Sequence, residues 1–212
     1  MIQTKAGTQT ETTSQQATTA TVAKIRFASF EEYLTYDDGT DKLYELFNGV
    51  LIEVPPESGD NVEIATSLLI ELASIVGRAQ VRGHGLELEV TGEPKNRYPD
   101  FTVIRAEHVS LLKQRNTIRL TMPPPLLVVE IVSPGNRQRE RDYVAKRRQY
   151  EDIGVGEYWI VDPNSEKVTV LAMQEQGAYQ EVGVFQNQQM VKSTTFPELS
   201  LTADDILPAK VK

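Results

Sequence analysis

Glu130 stands in the middle of LLVVEIVSP, residues 126–134, a run whose apolar density is that of a strand covered on both faces. An ionised carboxylate there is costly unless it is paired, protonated or bound to a cation. A second acid, Asp100, opens the apolar stretch YPDFTVI directly after Pro99. A third, Glu45, shares a hairpin face with Leu43, Phe47, Val50 and Ile52. If the strands carrying Asp100 and Glu130 are neighbours, their carboxylates converge on one divalent ion. Mg²⁺ is the fitting ion for so sparse an oxygen site, because it keeps waters and substrate phosphates among its ligands. A lysine adds to the pattern. On a helix from about Arg137 to Ile153, at about 100° per residue, Lys146 falls on the stripe of Tyr143, Tyr150 and Ile153. An inward lysine calls for an anion.

Each of these residues has a plainer reading. Glu130 and Lys146 make a structural ion pair, Glu45 is a cross-strand surface residue, and Tyr143 and Tyr150 are core aromatics. Glu87 and Glu89 read as a solvated strand face. The conjunction favours chemistry, since three inward acids and one inward lysine come from different elements. Repulsion from Asp100 and Glu45, together with burial, is expected to raise the Glu130 pKa, so that Glu130→Gln leaves the metal-free protein as stable or more so.

The elements that must position these groups follow from pattern. Residues 1–23, rich in Thr, Gln and Ala, have too little apolar surface to offset ordering entropy and read as a dispensable disordered tail; residues 24–212 read as one domain. Ser29 caps a short helix, FEEYL. Asn48-Gly49 is a type I′ turn that pairs Phe47 with Val50 and Glu45 with Ile52. Residues 61–78 carry helical periodicity through Ile64, Leu68, Leu72 and Ile75. Strands are expected at 86–90, 99–105, 126–134, 157–161, 168–173 and about 179–185, with a polar connection at 106–125 closed by three prolines. The stretch 199–207 packs back on the body. The fold class is α/β, a mixed central sheet flanked by helices.

Composition bounds the function. The chain has 212 residues, no cysteine and a net charge of −8. Disulfides and thiolate metal sites are excluded, and a cytoplasmic location is expected. The acidic balance argues against a general nucleic-acid coat, leaving a local basic patch from Arg137, Arg139, Arg141 and Arg147. No apolar run is long enough for a membrane span. His84 and His108 stand apart in sequence, which argues against a His-rich zinc site.

Asp100 after a proline, followed by Glu130 in an apolar strand, resembles the PD-(D/E)XK, restriction-endonuclease-like superfamily. More closely, YELFNG, YPDFTVI, PPPLLVVEIVSP, DYVAKRRQYEDIGVGEYWIVDP and LTADDIL resemble the Uma-type family of small bacterial members, over about residues 27–207. The resemblance implies a restriction-endonuclease-like fold and endonucleolytic hydrolysis of DNA, dependent on Mg²⁺ or Mn²⁺. The metal ligands it implies are Asp100, Glu130 and the carbonyl of Ile131. Glu45 matches the family's early acid, supporting metal or water. The lysine usual two residues after the Glu is Val132 here, so Lys146 takes that role. The family's histidine after the first hairpin is also absent, Asp60-Asn61 standing in its place. These departures keep open an inactive, binding or regulatory protein on the same fold. A homodimer is expected because duplex cleavage needs two sites, with the hairpin Glu157 to Met173 as a contact surface, while a core role is the favoured reading for its Trp159.

Overall fold

The computed structural model describes residues 25–134 and 140–207. The proposed N-terminal tail lies outside the described residues, as do Arg137, Arg139 and the start of the expected 137–153 helix. The first unit is α1 (Phe30–Leu34), capped by the Ser29 side chain, followed by β1 (Tyr44–Phe47) and β2 (Val50–Glu53). The hairpin register is the expected one, and Asn48 and Gly49 both take positive φ. Its inner face is not. Leu46 and Leu51 pack with Phe27, Phe30 and Tyr33, whereas Phe47 and Ile52 are exposed, so Glu45 shares the outer face.

The helix α2 (Gly59–Val76) begins at a Ser58 cap and buries Ile64, Leu68 and Leu72. It leads to β3 (Val81–Gly83), β4 (Glu87–Glu89), β5 (Asn96–Arg97) and β6 (Phe101–Val103). Within the expected polar connection lie α3 (His108–Leu111) and β7 (Thr117–Ile118). Next comes β8 (Leu127–Ile131), buried at every position. Beyond the undescribed 135–139 the chain forms a π-helical segment, Arg141–Lys146, that continues as α4 (Arg147–Asp152). The expected hairpin is β9 (Glu157–Asp162) and β10 (Lys167–Met173), followed by β11 (Tyr179–Phe185) and α5 (Ala203–Ile206).

Among the described residues six strands form the main sheet in the order β11-β10-β9-β8-β6-β3. Within that sheet only β8 and β9 pair in parallel, joined by the crossover through α4. Alternation along β8 divides the core. Leu127, Val129 and Ile131 face α2 and the C-terminal residues Leu199, Ala203 and Ile206, while Val128 and Val132 face Tyr150 and Tyr158. Glu130 belongs by alternation to the α4 side. A helix ends where Gly154 takes φ +79, and Gly156 lets β9 start against β8, since a Cβ there would sit 2.9 Å from the Leu126 carbonyl oxygen.

Two expectations fail on burial. Glu87 is not solvated. It is 3% exposed and accepts hydrogen bonds from Asn96, Tyr98, Arg115 and Thr117, while Glu89 pairs with Arg119. The hairpin proposed as a dimer surface is interior, with β9 between β8 and β10, and Trp159 takes the core role favoured for it, at 0% exposure. The homodimer expectation loses the surface on which it was built.

Candidate active site

Asp100 and Glu130 come together as their strands pair. Phe101 lies opposite Val129 in the antiparallel β6–β8 ladder, and one step further along that register sets Asp100 opposite Glu130. Pro99 before it removes a backbone donor, and the Asp100 carboxylate instead accepts the Ile131 amide at 2.6 Å. Asp100 is 6% exposed and Glu130 1%.

The π segment supplies the counter-charge. It carries Asp142 and Lys146 inward together, four residues apart, and Tyr150 follows from α4. Lys146 Nζ lies 2.5 Å from Glu130 Oε2 and 3.0 Å from Asp142 Oδ1, and the Tyr150 hydroxyl donates to Glu130 Oε1 at 2.5 Å. Val132, where the superfamily usually has lysine, is buried in the apolar cluster around Tyr150 and Tyr158. Both oxygens of Glu130 are thus engaged by protein donors, and the structural ion pair weighed from sequence is present as geometry.

The charges do not balance locally. Asp100, Glu130 and Asp142 are faced by the Lys146 ammonium and by the Arg141 guanidinium, whose Nε lies 3.5 Å from Asp142 Oδ1, which leaves the group one positive charge short. Burial raises Asp100 well above the usual carboxylate range; Glu130 adds to the rise, and Lys146 and the Ile131 amide oppose it. Burial likewise raises Glu130, against the pull of Lys146, with Asp142 adding to the rise. For Lys146 burial favours the neutral amine, yet the Glu130 and Asp142 carboxylates outweigh it and hold the ammonium above its ordinary value. The lysine is therefore a fixed cation at neutral pH and not a ready base.

This has a measurable consequence. A carboxyl whose folded pKa exceeds its unfolded value keeps its proton in the fold while the unfolded chain releases it. Stability is then lost as pH rises from about 4, the unfolded value, through the folded one. In chelator, Asp100→Asn, which keeps an acceptor for the Ile131 amide, should melt higher than the parent at pH 8. The difference should close by about pH 4. Melting curves across that range check it; an Asn variant that is less stable at pH 8 contradicts it.

Glu45 stands apart from the three. Its two carboxylate oxygens accept from Arg97 Nη1 at 3.0 and 3.1 Å, and Arg97 Nε donates to Gln149 of α4. It still contributes to the field on Arg141, together with Asp142 and Glu130.

Other residues join the site that sequence reasoning did not place there. Asn61, 4% exposed at the start of α2, directs Nδ2 to the Ile131 carbonyl at 3.3 Å, to Ser133 Oγ and to Glu57 Oε2. The backbone oxygen implied as a metal ligand is thus faced by a side chain from α2. His84, read as isolated, is not: potential ligand atoms of Glu57, His84 and Asp100 lie within 4.8 Å of one another. Asp142 and Tyr150 complete the surroundings of Glu130. The oxygen donors Asp100, Glu130 and the Ile131 carbonyl, in a site short of positive charge, fit a hard divalent cation.

A mixed sheet flanked by helices, with an Asp and a Glu opposed on adjacent strands and a lysine beside them, is the architecture of a restriction-endonuclease-like α/β domain. Residues 30–204 match the Uma2 family, described as "Putative restriction endonuclease", and the chain belongs to that family. Among solved structures it is similar to the crystal structure of "a putative nuclease belonging to DUF820 from Anabaena variabilis ATCC 29413". The TM-score is 0.63 at 22% identity, covering 83% of this chain and 95% of that one. No curated protein matches. Among the described residues no helix is long and apolar enough to cross a membrane.

Proposed function

We propose that this chain is an endonuclease that hydrolyses DNA phosphodiester bonds with a divalent metal, Mg²⁺ or Mn²⁺, held by Asp100, Glu130 and the Ile131 carbonyl. The observation that carries the reading is the opposition of Asp100 and Glu130 across β6 and β8, with the Lys146 ammonium on Glu130. A divalent ion in this position supplies polarisation of the scissile phosphate and a more acidic attacking water.

The protein groups have separate tasks. Lys146, held charged by Glu130 and Asp142, stabilises the negative charge that grows on the phosphoryl oxygens. Tyr150, whose own pKa burial pushes well above 10, remains a hydroxyl donor and fixes the Glu130 carboxylate. The Ile131 amide orients Asp100, and Asn61 sets the Ile131 carbonyl. Glu45 positions Arg97 at the edge of the site. Arg141, with its side chain 44% exposed, and the flanking Arg147 and Arg148 give phosphate a local positive approach on an acidic protein.

A second reading has its own observation in favour: Glu130 is fully engaged by Lys146 and Tyr150, and Val132 replaces the usual lysine. On that reading the chain is an inactive nuclease-fold protein that binds or regulates a partner. Metal response separates the two. The nuclease reading expects Mg²⁺ or Mn²⁺ to raise the melting temperature, and Asp100→Ala to abolish the rise. A melting temperature indifferent to either ion favours the second reading.

A further inference from the structure

We infer that Glu57, His84 and Asp100 form a second cation site, selective for a transition-metal ion of the Mn²⁺ type, at the mouth of the cleft between α2 and β3. It shares Asp100 with the site of the proposed function but does not use Glu130, Ile131 or Lys146, and it stands whether or not the chain cuts DNA.

Three elements converge there. Glu57 precedes the Ser58 cap of α2, His84 follows β3, and Asp100 immediately precedes β6. The β3–β6 pairing, which sets Gly83 opposite Phe101, is what brings the second and third together. One ligand atom from each lies within 4.8 Å of the others, close enough to be bridged by a single ion. The cleft that these side chains line, with Asn61, Ala65 and Gly83 among its walls, has a volume of about 100 Å³. That is several times the room one water needs, so an ion and its remaining waters fit.

The hydrogen bonding points the same way. Asp100 is nine-tenths buried, and among the described residues only one of its oxygens, Oδ2, has a hydrogen-bond donor, the Ile131 amide. Glu57 is held by Asn61 Nδ2, which brings two carboxylates into one partly enclosed space, and among the described residues no cationic side chain is bonded to either. Two carboxylates alone would suit Mg²⁺ or Ca²⁺. The imidazole changes the preference, because nitrogen donors favour Mn²⁺ and the later first-row ions over the hard alkaline earths.

Mn²⁺ itself is the probe, on the full chain. Pulsed electron paramagnetic resonance of the Mn²⁺-loaded protein should show ¹⁴N coupling from a bound imidazole. Excess Mg²⁺ should displace that signal poorly. His84→Ala, at an exposed position, should abolish the coupling and weaken titrated Mn²⁺ affinity at this site at least about tenfold. Glu57→Gln should weaken it while leaving some nitrogen coupling. Glu130→Gln should leave the ¹⁴N signal in place, which separates this site from the Asp100–Glu130 one. Manganese bound without nitrogen coupling, or coupling that survives His84→Ala, overturns the assignment. So does ready displacement by Mg²⁺.

Discussion

Lys146→Met is expected to lose at least about a hundredfold in DNA cleavage rate, the scale on which removing a partner of developing transition-state charge acts. The substitution keeps the apolar stem and deletes the ammonium. Among the described residues no other lysine is paired with Glu130: Lys167 lies 5.2 Å over the ring of Tyr143 in the π segment, and Lys42 and Lys95 pair with Glu53 and Glu93 at the surface. Because Glu130 and Asp142 hold Lys146 charged, its loss should depress the rate across the neutral range without creating a new titration in the pH profile. The variant should still fold, since Glu130 retains the Tyr150 hydroxyl and can take up a proton. Val132 lies on the same strand face as Glu130 and packs in the cluster around Tyr150. A lysine introduced there as Val132→Lys reaches the same region, so that change in the Lys146→Met background should restore part of the rate. Full activity in Lys146→Met removes the lysine from the mechanism.

Burial raises Glu130 and by itself favours a neutral side chain there, but Glu130 is also the main group that holds the buried Lys146 charged. Glu130→Gln takes that partner away and is expected to cost about 3 kcal/mol in the metal-free protein, toward the lower end for one side of a buried pair because Asp142 remains beside Lys146. The expectation from sequence was the opposite. It rested on burial and on the repulsion among Asp100, Glu45 and Glu130, and it kept the Glu130–Lys146 ion pair as the alternative. Glu45 turns out to spend its charge on Arg97, and Lys146 and Tyr150 take both Glu130 oxygens. The double change Glu130→Gln with Lys146→Met removes charge from both sides and should recover a large part of the loss. Denaturant unfolding in chelator measures both. If Glu130→Gln is neutral on its own, the Lys146 contact carries little energy.

The contrast shows what pattern reading captures. Strand periodicity located β8, β9, β10 and the Asn48-Gly49 hairpin because each signal is local and strong. Asp100 and Glu130 were legible as charges set in apolar runs, and Lys146 by its helical phase among Tyr143, Tyr150 and Ile153. Glu87 was misread because its donors are scattered at Asn96, Tyr98, Arg115 and Thr117, and no window of sequence holds them together. The face of the first hairpin was reversed because Phe47 and Ile52 are as apolar as Leu46 and Leu51, and only α1 decides which pair is covered. His84 follows a strand of three residues, too short for any period to register. Its meeting with Glu57 and Asp100 depends on tertiary pairing alone. The π segment could not be read from spacing either, since Asp142 and Lys146 at four residues apart suit an ordinary helix equally well.

The claim that Asp100 and Glu130 hold a metal for phosphodiester hydrolysis is tested most directly by one assay. Purified protein is incubated with single- and double-stranded DNA in Mn²⁺, in Mg²⁺ and in chelator, beside Asp100→Ala prepared identically. The account predicts cleavage that requires the divalent ion and disappears in Asp100→Ala. Folded protein that leaves every substrate intact in both ions, or cleavage undiminished by Asp100→Ala, contradicts it.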